Sequence, residues 1–337
     1  MDKKIIIILL YLIIYLTIGE FIFLIPFILL NFIKKTNKTI FNTIKNNLLS
    51  SLSFLIILLY PIKINVNSIK LLEKINSSKK NLIISNHISE LDIFISNIIF
   101  NNPNNFNLNT LFLSKKLIGY LIPCFGLLGI LTNDIFLERN IENDIHKLNK
   151  KLDFSKIFFY PEGTCFNNER KLKSNSYCKK NNLPIFKYHL YPRIKGFELI
   201  LNNNSDISYI YDLTFTFDTI NKKNYGNHFN LLSFIYKFNF PSNVYINIVR
   251  YKINKKYNCT TLLENIFINK DNFIKKFNHK NNNFINYKYN YYFGFINFIF
   301  INIICLLSIY LIYKSIIFRY IFLLEFVLYL FYFYFYI

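Results

Sequence analysis

The middle of the chain, residues 66–277, alternates short apolar runs with longer runs of mixed polarity. A short apolar run is typical of a strand buried on both faces, whereas the mixed runs have the spacing of amphipathic helices. Strands that alternate with helices favour an α/β domain with mainly parallel strand pairs. The sequence therefore predicts an α/β fold with a mixed, largely parallel sheet flanked by helices.

The individual runs give approximate bounds for these elements. The apolar runs predict strands at residues 82–85, 110–114, 130–137, 156–160, 207–217 and 243–251. The mixed runs predict helices at residues 91–100, 141–152 and 262–277. Two Asn-rich stretches, residues 101–109 and 278–292, predict loops.

Both ends of the chain are dominated by apolar residues. About 20 consecutive apolar residues can cross a bilayer, so residues 5–33 predict an uncleaved membrane anchor. The shorter run at residues 48–60 predicts an interfacial helix, and the alternative is a core helix of the central domain. Residues 292–313 and 316–337 predict a transmembrane hairpin.

These runs divide the chain into three predicted parts. They are an N-terminal membrane anchor with an interfacial helix at residues 1–65, an α/β domain at residues 66–285 and a C-terminal transmembrane hairpin at residues 286–337. N-terminal and C-terminal membrane helices predict a multi-pass integral membrane protein, with the endoplasmic reticulum as its expected location.

Net charge limits the classes of partner, and cysteine spacing limits the kinds of site that the chain can contain. The formal net charge of +21 favours nucleic acid or an anionic membrane surface. The sequence contains no recognition helix or RNA-binding signature, so we expect a lipid bilayer as partner and no nucleic acid. The five cysteines include no C-x-x-C pair, which argues against a disulfide framework and against a zinc site.

Residues 86–92, Asn-His-Ile-Ser-Glu-Leu-Asp, join a predicted strand to a predicted helix. His87 would then lie at the strand end, and Asp92 would lie in the first helical turn. A neutral histidine can take a proton from a hydroxyl group, and a nearby carboxylate can fix its tautomer. The alternative is that Ser89 and Asp92 cap the helix and that His87 is structural.

Two further stretches carry arginines. Phe136 and Leu137 end an apolar run ahead of Arg139, whose planar guanidinium suits a phosphate group. Residues 190–197, Leu-Tyr-Pro-Arg-Ile-Lys-Gly-Phe, predict a basic turn anchored by Pro192. The alternatives are a solvated or salt-bridged arginine at Arg139 and a solvated loop at residues 190–197, so neither stretch is specific alone.

Another stretch combines a buried strand with a tight turn. Pro161, Glu162, Gly163 and Thr164 directly follow a predicted strand. Backbone N–H groups in such a turn can face a ligand. Glu162 could hydrogen-bond a hydroxyl group or orient Arg139, and the alternative is an ordinary strand-end turn.

In their order and spacing, these four stretches resemble the glycerolipid acyltransferase family. The resemblance covers residues 82–217 and, more loosely, residues 244–277. It is greatest to the 1-acyl-sn-glycerol-3-phosphate acyltransferases, also called lysophosphatidic acid acyltransferases. Within them it points to the branch with the lysocardiolipin acyltransferases, which has a Lys-x6-Pro-x2-Gly stretch, matched at residues 116–126, and the basic turn at residues 190–197.

The resemblance implies that acyl-CoA, as co-substrate, donates its acyl chain to the sn-2 hydroxyl of 1-acyl-sn-glycerol 3-phosphate, which forms phosphatidic acid. It implies that His87 is the catalytic base and that Asp92 orients it. Residues implied to bind the substrate are Arg139, Glu162, Gly163, Thr164, Lys116 and Pro192. Residues that complete the motifs are Asn86, Ser89, Glu90, Phe136, Leu137 and Pro161. A thioester is already activated, so no cofactor and no metal are expected.

One residue near the expected substrate phosphate departs from the family pattern. Arginine usually follows Glu-Gly-Thr, and this chain has Cys165 there. Arg170, Lys171 or Lys116 could supply the missing cation, or the headgroup preference could differ. Because the resemblance implies direct acyl transfer, Cys165 is not expected to act as a nucleophile.

Two alternatives to phosphatidic acid synthesis stay open. The first is an acyltransferase that uses another lysophospholipid, such as lysocardiolipin or lysophosphatidylinositol, as acceptor. The second is a catalytically silent membrane protein that binds lipid.

Overall fold

The computed structural model describes most of the middle of the chain. The described residues are 62–76, 80–89, 92–100, 110–115, 134–138, 140–148, 156–217, 242–253, 258–278, 283–288 and 291–317, with single positions 47, 50, 51, 54, 57 and 320. The chain divides into two compact units: unit 1 is residues 1–55, 114–136 and 291–337, and unit 2 is residues 56–113 and 137–290. The predicted bounds of the α/β domain stay predictions.

The described residues form one eight-stranded sheet. Its strands are β1 (Lys63–Val66), β2 (Asn81–Ser85), β3 (Thr110–Lys115), β4 (Ile135–Leu137), β5 (Lys156–Phe159), β6 (Tyr209–Phe217), β7 (Asn243–Lys252) and β8 (Ile285–Asn286). Their order in the sheet is β4-β3-β5-β2-β6-β7-β1-β8.

Strand pairing in this sheet is mixed and largely parallel. β2 runs parallel to β5 and to β6, β3 runs parallel to β5, and β1 runs parallel to β7. β6 pairs antiparallel with β7, and β8 pairs antiparallel with β1. The sheet predicted from the sequence is therefore confirmed.

The central strands are apolar because both of their faces are covered. Every residue of β2 and of β5 is buried. In register, Ile83 of β2 lies between Phe158 of β5 and Tyr211 of β6. These three side chains belong to the main hydrophobic core, which also takes in residues from the flanking helices.

Helices connect most of these strands. They are α1 (Ile69–Asn76), α2 (Asp92–Phe100), α3 (Ile141–Leu148), α4 (Asn168–Lys180), α5 (Ile194–Asn203), α6 (Cys259–Lys276) and α7 (Tyr291–Lys314). Sequence spacing predicted α2, α3 and α6. Helix α6 begins after Asn258, whose side chain accepts hydrogen bonds from the backbone N–H groups of Thr260 and Thr261.

Helices α1, α4 and α5 were not predicted. Helix α4 is polar and buries only Cys178, so it has no apolar stripe for a periodicity argument to detect. The start of the helix is stabilised instead by a cap: the side chain of Asn167 accepts a hydrogen bond from the backbone N–H of Arg170 at 2.8 Å. Helix α5 begins at Ile194, inside the stretch 190–197 that was predicted as a turn, and buries Phe197 and Ile200.

The predicted membrane helices require a correction. A span needs about 20 consecutive, mainly apolar residues in one helix. Among the residues described, no helix meets the length and hydropathy that a bilayer span requires. This finding contradicts the predicted membrane helices and the predicted multi-pass integral localisation in the endoplasmic reticulum.

Other parts of that prediction fall outside the described residues. They are the anchor at residues 5–33 and most of residues 48–60 and 316–337. Within unit 1, the ring of Phe54 contacts the rings of Phe295 and Phe298, with centroid distances of 5.7 and 5.6 Å.

Candidate active site

The site lies in unit 2, where the chain leaves β2. Asn86 continues the sheet beyond the end of the strand: its side chain donates to the carbonyl of Phe215 on β6 at 3.0 Å and accepts the N–H of Phe215 at 2.8 Å. Asn86 is buried, so both polar ends of its amide are satisfied inside the protein. This pairing fixes the backbone position from which the next residue, His87, leaves the sheet.

Asp92 holds the imidazole of His87. The distance between Nδ1 of His87 and Oδ2 of Asp92 is 3.2 Å, and Asp92 is completely buried. The same oxygen accepts the backbone N–H groups of Ile88 at 2.7 Å and Ser89 at 2.9 Å. Three donors therefore converge on one oxygen and fix the carboxylate. With the proton of His87 on Nδ1, its Nε2 is left as an acceptor.

Tyr160 covers one face of this imidazole. The two rings stack with a centroid distance of 4.2 Å and an angle of 22°. Burial raises the pKa of Tyr160 well above its usual value, and the nearby charge of Asp92 adds to that rise. Tyr160 therefore stays a neutral phenol, and it restricts the rotation of His87 by packing.

Glu162 joins two segments of the site. Its Oε1 accepts the backbone N–H of His87 at 3.1 Å, and its Oε2 accepts the backbone N–H of Leu190 at 2.9 Å. Glu162 is 3% exposed, and burial raises the pKa of its carboxyl group to about 8 although both hydrogen bonds lower it. Both oxygens are used by the backbone, so the geometry supports a positioning role for Glu162.

Gly163 makes room for an arginine. Its φ is +67°, and a Cβ atom at this position would lie 2.6 Å from Nε of Arg193. The backbone N–H of Arg193 also donates to the carbonyl of Pro161 at 2.8 Å. The exposed side chain of Arg193 therefore lies over the Pro-Glu-Gly turn. The predicted site contained its neighbour Pro192, which is buried, but omitted Arg193.

The sulfur of Cys165 lies over the face of the imidazole of His87, close to both ring nitrogens. The Sγ atom lies 3.2 Å from Nε2 of His87 and 3.6 Å from Nδ1. The carbonyl of Cys165 accepts a hydrogen bond from Nη1 of Arg170 at 2.8 Å, so the guanidinium of Arg170 lies beside Cys165. That Arg170 or Lys171 replaces the missing family arginine stays a prediction.

The remaining predicted site residues divide into two groups. Arg139, Lys116 and Glu90 lie outside the described residues. Thr164 is half-buried beside Cys165, and Phe136 and Leu137 are half-buried on β4. The roles assigned to all of them from the sequence stay predictions.

Comparison with known proteins places this site inside a recognised domain. Residues 66–193 match the family model described as Acyltransferase. The chain is 38% identical over 93 residues to lysophosphatidylinositol acyltransferase 10 of Caenorhabditis elegans, covering 25% of this chain and 24% of that protein. It is 26% identical over 186 residues to lysocardiolipin acyltransferase 1 of Gallus gallus, covering 52% of this chain and 47% of that protein.

A third relative is 1-acyl-sn-glycerol-3-phosphate acyltransferase delta of Bos taurus. It is 30% identical over 113 residues, covering 31% of this chain and 30% of that protein. The chain thus spans about a quarter to a half of the length of these three curated relatives. The chain therefore contains a segment, residues 66–193, that matches an acyltransferase domain, and the relatives to which it is similar are glycerolipid acyltransferases.

Proposed function

We propose that the protein transfers an acyl chain from acyl-CoA to the sn-2 hydroxyl of 1-acyl-sn-glycerol 3-phosphate and so forms phosphatidic acid. The observation that carries this proposal is the contact of 3.2 Å between His87 and the buried carboxylate of Asp92. The pair lies where β2 ends, within the segment that matches the acyltransferase model. Ligands of open α/β sheets bind beyond the carboxyl ends of the strands.

The chemical step needs a base because an alcohol is a poor nucleophile at neutral pH. Nε2 of His87 takes the hydroxyl proton while the oxygen forms a bond to the thioester carbonyl carbon. The bond from that carbon to the sulfur of CoA then breaks, and the departing sulfur takes the proton back from the imidazolium. Asp92 stabilises the imidazolium and holds its orientation.

The anionic end of the acceptor requires a cation near the base. Arg193 is exposed and lies over Gly163. Gly163 precedes Cys165 by two residues. A planar guanidinium can make two parallel hydrogen bonds to a phosphate. We therefore add Arg193 to Arg139 as a candidate for orienting the acceptor phosphate.

A second candidate function keeps the reaction and changes the acceptor to another lysophospholipid. It is favoured by Cys165, which stands where the family usually has an arginine next to the substrate phosphate. Two of the relatives named above are a lysophosphatidylinositol acyltransferase and a lysocardiolipin acyltransferase. Loss of one cation would weaken selection for a terminal phosphate more than for a headgroup in which the phosphate is a diester.

The test is a release assay for CoA with the purified full chain and a panel of acceptors in detergent micelles. The panel contains lysophosphatidic acid, lysophosphatidylinositol and monolysocardiolipin. The highest kcat/KM with lysophosphatidic acid supports the first candidate, and a clear preference for another headgroup replaces it with the second. No CoA release with any acceptor would overturn both and favour a silent lipid-binding protein.

The role of His87 is tested by His87→Ala. We expect kcat to fall by about 10²–10⁴ because the proton acceptor is lost. The matched control is His146→Ala, since His146 is exposed on α3. This control should leave kcat unchanged. Full activity in His87→Ala would rule out the proposed base.

A further inference from the structure

Helix α4 packs on the domain with one side and is exposed to solvent on the other. On the inner side, Cys178 is buried, and the hydroxyl of Ser174 accepts the backbone N–H of Tyr191 at 2.9 Å. Residues three or four positions apart lie on the same face of a helix. The exposed residues of the outer side form a surface that we call the α4 patch: Leu172, Lys173, Ser176, Tyr177, Lys179 and Lys180.

Apolar side chains are exposed on and beside this patch. Leu172 is 67% exposed, Tyr177 is 56% exposed, and Ile185 in the segment after the helix is 50% exposed. That segment is tied to the end of the helix, because the N–H of Leu183 donates to the carbonyl of Cys178 at 2.9 Å. A single exposed leucine is ordinary, whereas three large apolar side chains on one short segment indicate a binding partner.

Cations surround these apolar side chains. Residues 168–180 contain five basic residues and one acidic residue, and that acidic residue, Glu169, is paired with Lys173 at 2.6 Å. Lys179 and Lys180 lie in the last turn of α4, and the exposed Lys187 follows Ile185 by two residues. The patch therefore carries positive charge around an apolar centre.

This combination of side chains selects one class of partner. An anionic lipid surface attracts lysines through its phosphates, and the layer between headgroups and acyl chains accepts leucine and aromatic side chains. A nucleic acid backbone would contact the lysines but would not bury the aliphatic side chains. Charge and apolar surface together thus favour a membrane.

Helix α4 is attached to the loops of the candidate active site. Arg170, in its first turn, donates to the carbonyl of Cys165 at 2.8 Å. The ring of Tyr177 lies 6.2 Å from the ring of Tyr191, which precedes Arg193 by two residues. A helix of this length spans about 20 Å, so a membrane bound to the patch would lie about that distance or less from the site.

We propose that the α4 patch, with Ile185 and Lys187, is a docking surface for an anionic lipid membrane. The lysines bind lipid phosphates, and the exposed apolar side chains enter the layer between headgroups and acyl chains. The contact is peripheral. It goes beyond the proposed function, since binding to lipid requires neither acyl-CoA nor a reaction.

The first experiment sediments the purified full chain with two kinds of vesicle. One kind is phosphatidylcholine alone, and in the other a third of the phosphatidylcholine is replaced by phosphatidylserine. We expect tighter binding to the anionic vesicles. The difference should shrink as salt rises from about 0.1 M to about 1 M, because the screening length falls from about 10 Å to about 3 Å.

The double variant Lys179→Glu with Lys180→Glu should bind the anionic vesicles at least about 10-fold more weakly, because each lysine near such a surface adds to the attraction. The matched control is Lys275→Glu with Lys276→Glu, two exposed lysines in the last turn of α6. It makes the same change in net charge at the same end of a helix, and it should bind like the wild type. Melting temperatures show whether both variants are folded.

A fluorescent reporter tests whether the apolar side chains enter the lipid. The sequence contains no tryptophan, so a single introduced tryptophan reports only its own surroundings. Leu172→Trp should shift its emission to shorter wavelength when anionic vesicles are added, because the indole leaves water. The control is Ile268→Trp at an exposed position on α6, which should show no shift.

The docking surface is refuted by a wild-type chain without preference for anionic vesicles, or by a folded Lys179→Glu with Lys180→Glu variant that binds them as tightly as the wild type. Unchanged emission of Leu172→Trp in the presence of vesicles also refutes it. An emission shift that depends on protein concentration without lipid would assign the patch to a second copy of the chain instead. None of these results depends on CoA release in detergent micelles, so the docking surface and the proposed function fail separately.

Discussion

Three side chains surround the imidazole of His87, and each restricts a different movement. Asp92 binds Nδ1, Tyr160 covers a ring face with a centroid distance of 4.2 Å, and Sγ of Cys165 lies within 3.6 Å of both ring nitrogens. A histidine held in this way enters the reaction with its tautomer and orientation already set. Such preorganisation reduces the entropy lost in the transition state.

The contribution of Asp92 can be measured with Asp92→Asn. The amide keeps an oxygen for the backbone N–H groups of Ile88 and Ser89, so the fold should be retained. The same amide oxygen still faces Nδ1 of His87, but it carries no negative charge to stabilise the imidazolium. We expect kcat to fall at least about 10²-fold with a much smaller change in KM.

A carboxylate elsewhere in the domain provides the control for this substitution. Asp206 is exposed and forms an ion pair with Lys80 at 2.7 Å, ahead of β6. Asp206→Asn should leave both kcat and KM unchanged. If Asp92→Asn also kept the wild-type kcat, Asp92 would have no part in orienting the base.

At the scale of secondary-structure elements, two turns contact each other. The turn after β5 carries Glu162 and Gly163, and the segment before α5 carries Leu190 and Arg193. Glu162 joins them by accepting the N–H of Leu190, and Arg193 lies against Gly163. The position of the Arg193 side chain therefore depends on Gly163 in the first turn.

Two glycines in this region allow a matched comparison. Gly163→Ala places a methyl group 2.6 Å from Nε of Arg193 at a φ of +67°. We expect it to lower the free energy of unfolding by about 1–2 kcal/mol, because L side chains avoid this conformation. It should also raise KM for the acceptor by displacing Arg193. Denaturant titration and steady-state kinetics measure the two effects.

Gly196 on α5 should behave in the opposite way. A Cβ atom there would meet Cζ of Phe159 at 3.6 Å, which is ordinary contact. Alanine inside a helix is favoured over glycine, so Gly196→Ala should raise the free energy of unfolding by about 0.5–1 kcal/mol. Equal effects of the two substitutions would contradict the strain assigned to Gly163.

At the scale of the whole molecule, sheet order assembles the site. β2 and β5 are parallel neighbours, with Ile84 opposite Phe159, so both strands end at the same edge. The loop with His87 and the turn with Cys165 follow these two ends directly. β6 lies on the other side of β2 and anchors Asn86.

A buried ion pair attaches α6 to this sheet. Lys270 of α6 contacts the carboxylate of Asp212 and donates to the carbonyl of Leu213, both on β6. Burial lowers the pKa of Lys270 and raises the pKa of Asp212 to about 6, while each charge opposes the shift of its partner. Removal of one partner would leave the other charge buried without compensation.

Lys270→Met should therefore lower the free energy of unfolding by about 3–5 kcal/mol. The double variant Lys270→Met with Asp212→Leu should recover most of this loss, because no buried charge remains. The control is Lys276→Met in the exposed last turn of α6, expected to change the free energy by less than about 0.5 kcal/mol. Denaturant titration of all three variants is the measurement, and a double variant no better than Lys270→Met would contradict the argument.

The sequence by itself determined what depends on short spacing. Alternating apolar and mixed runs predicted the α/β sheet. Asp92 follows His87 by five positions, and this separation predicted a contact across the start of one helix. The family pattern was also readable, because its motifs lie in four short stretches. Apolar composition alone was a poor guide, since it predicted membrane helices that the described residues do not contain.

Only the tertiary structure decided which distant groups share the site. The contact between Cys165 and His87, the stacking of Tyr160 and the bridge made by Glu162 all depend on β5 lying next to β2. Strand order results from packing over the whole sheet, and no local pattern in the sequence encodes it. For this reason the sequence supplied the base and its partner, and the fold supplied the thiol beside them.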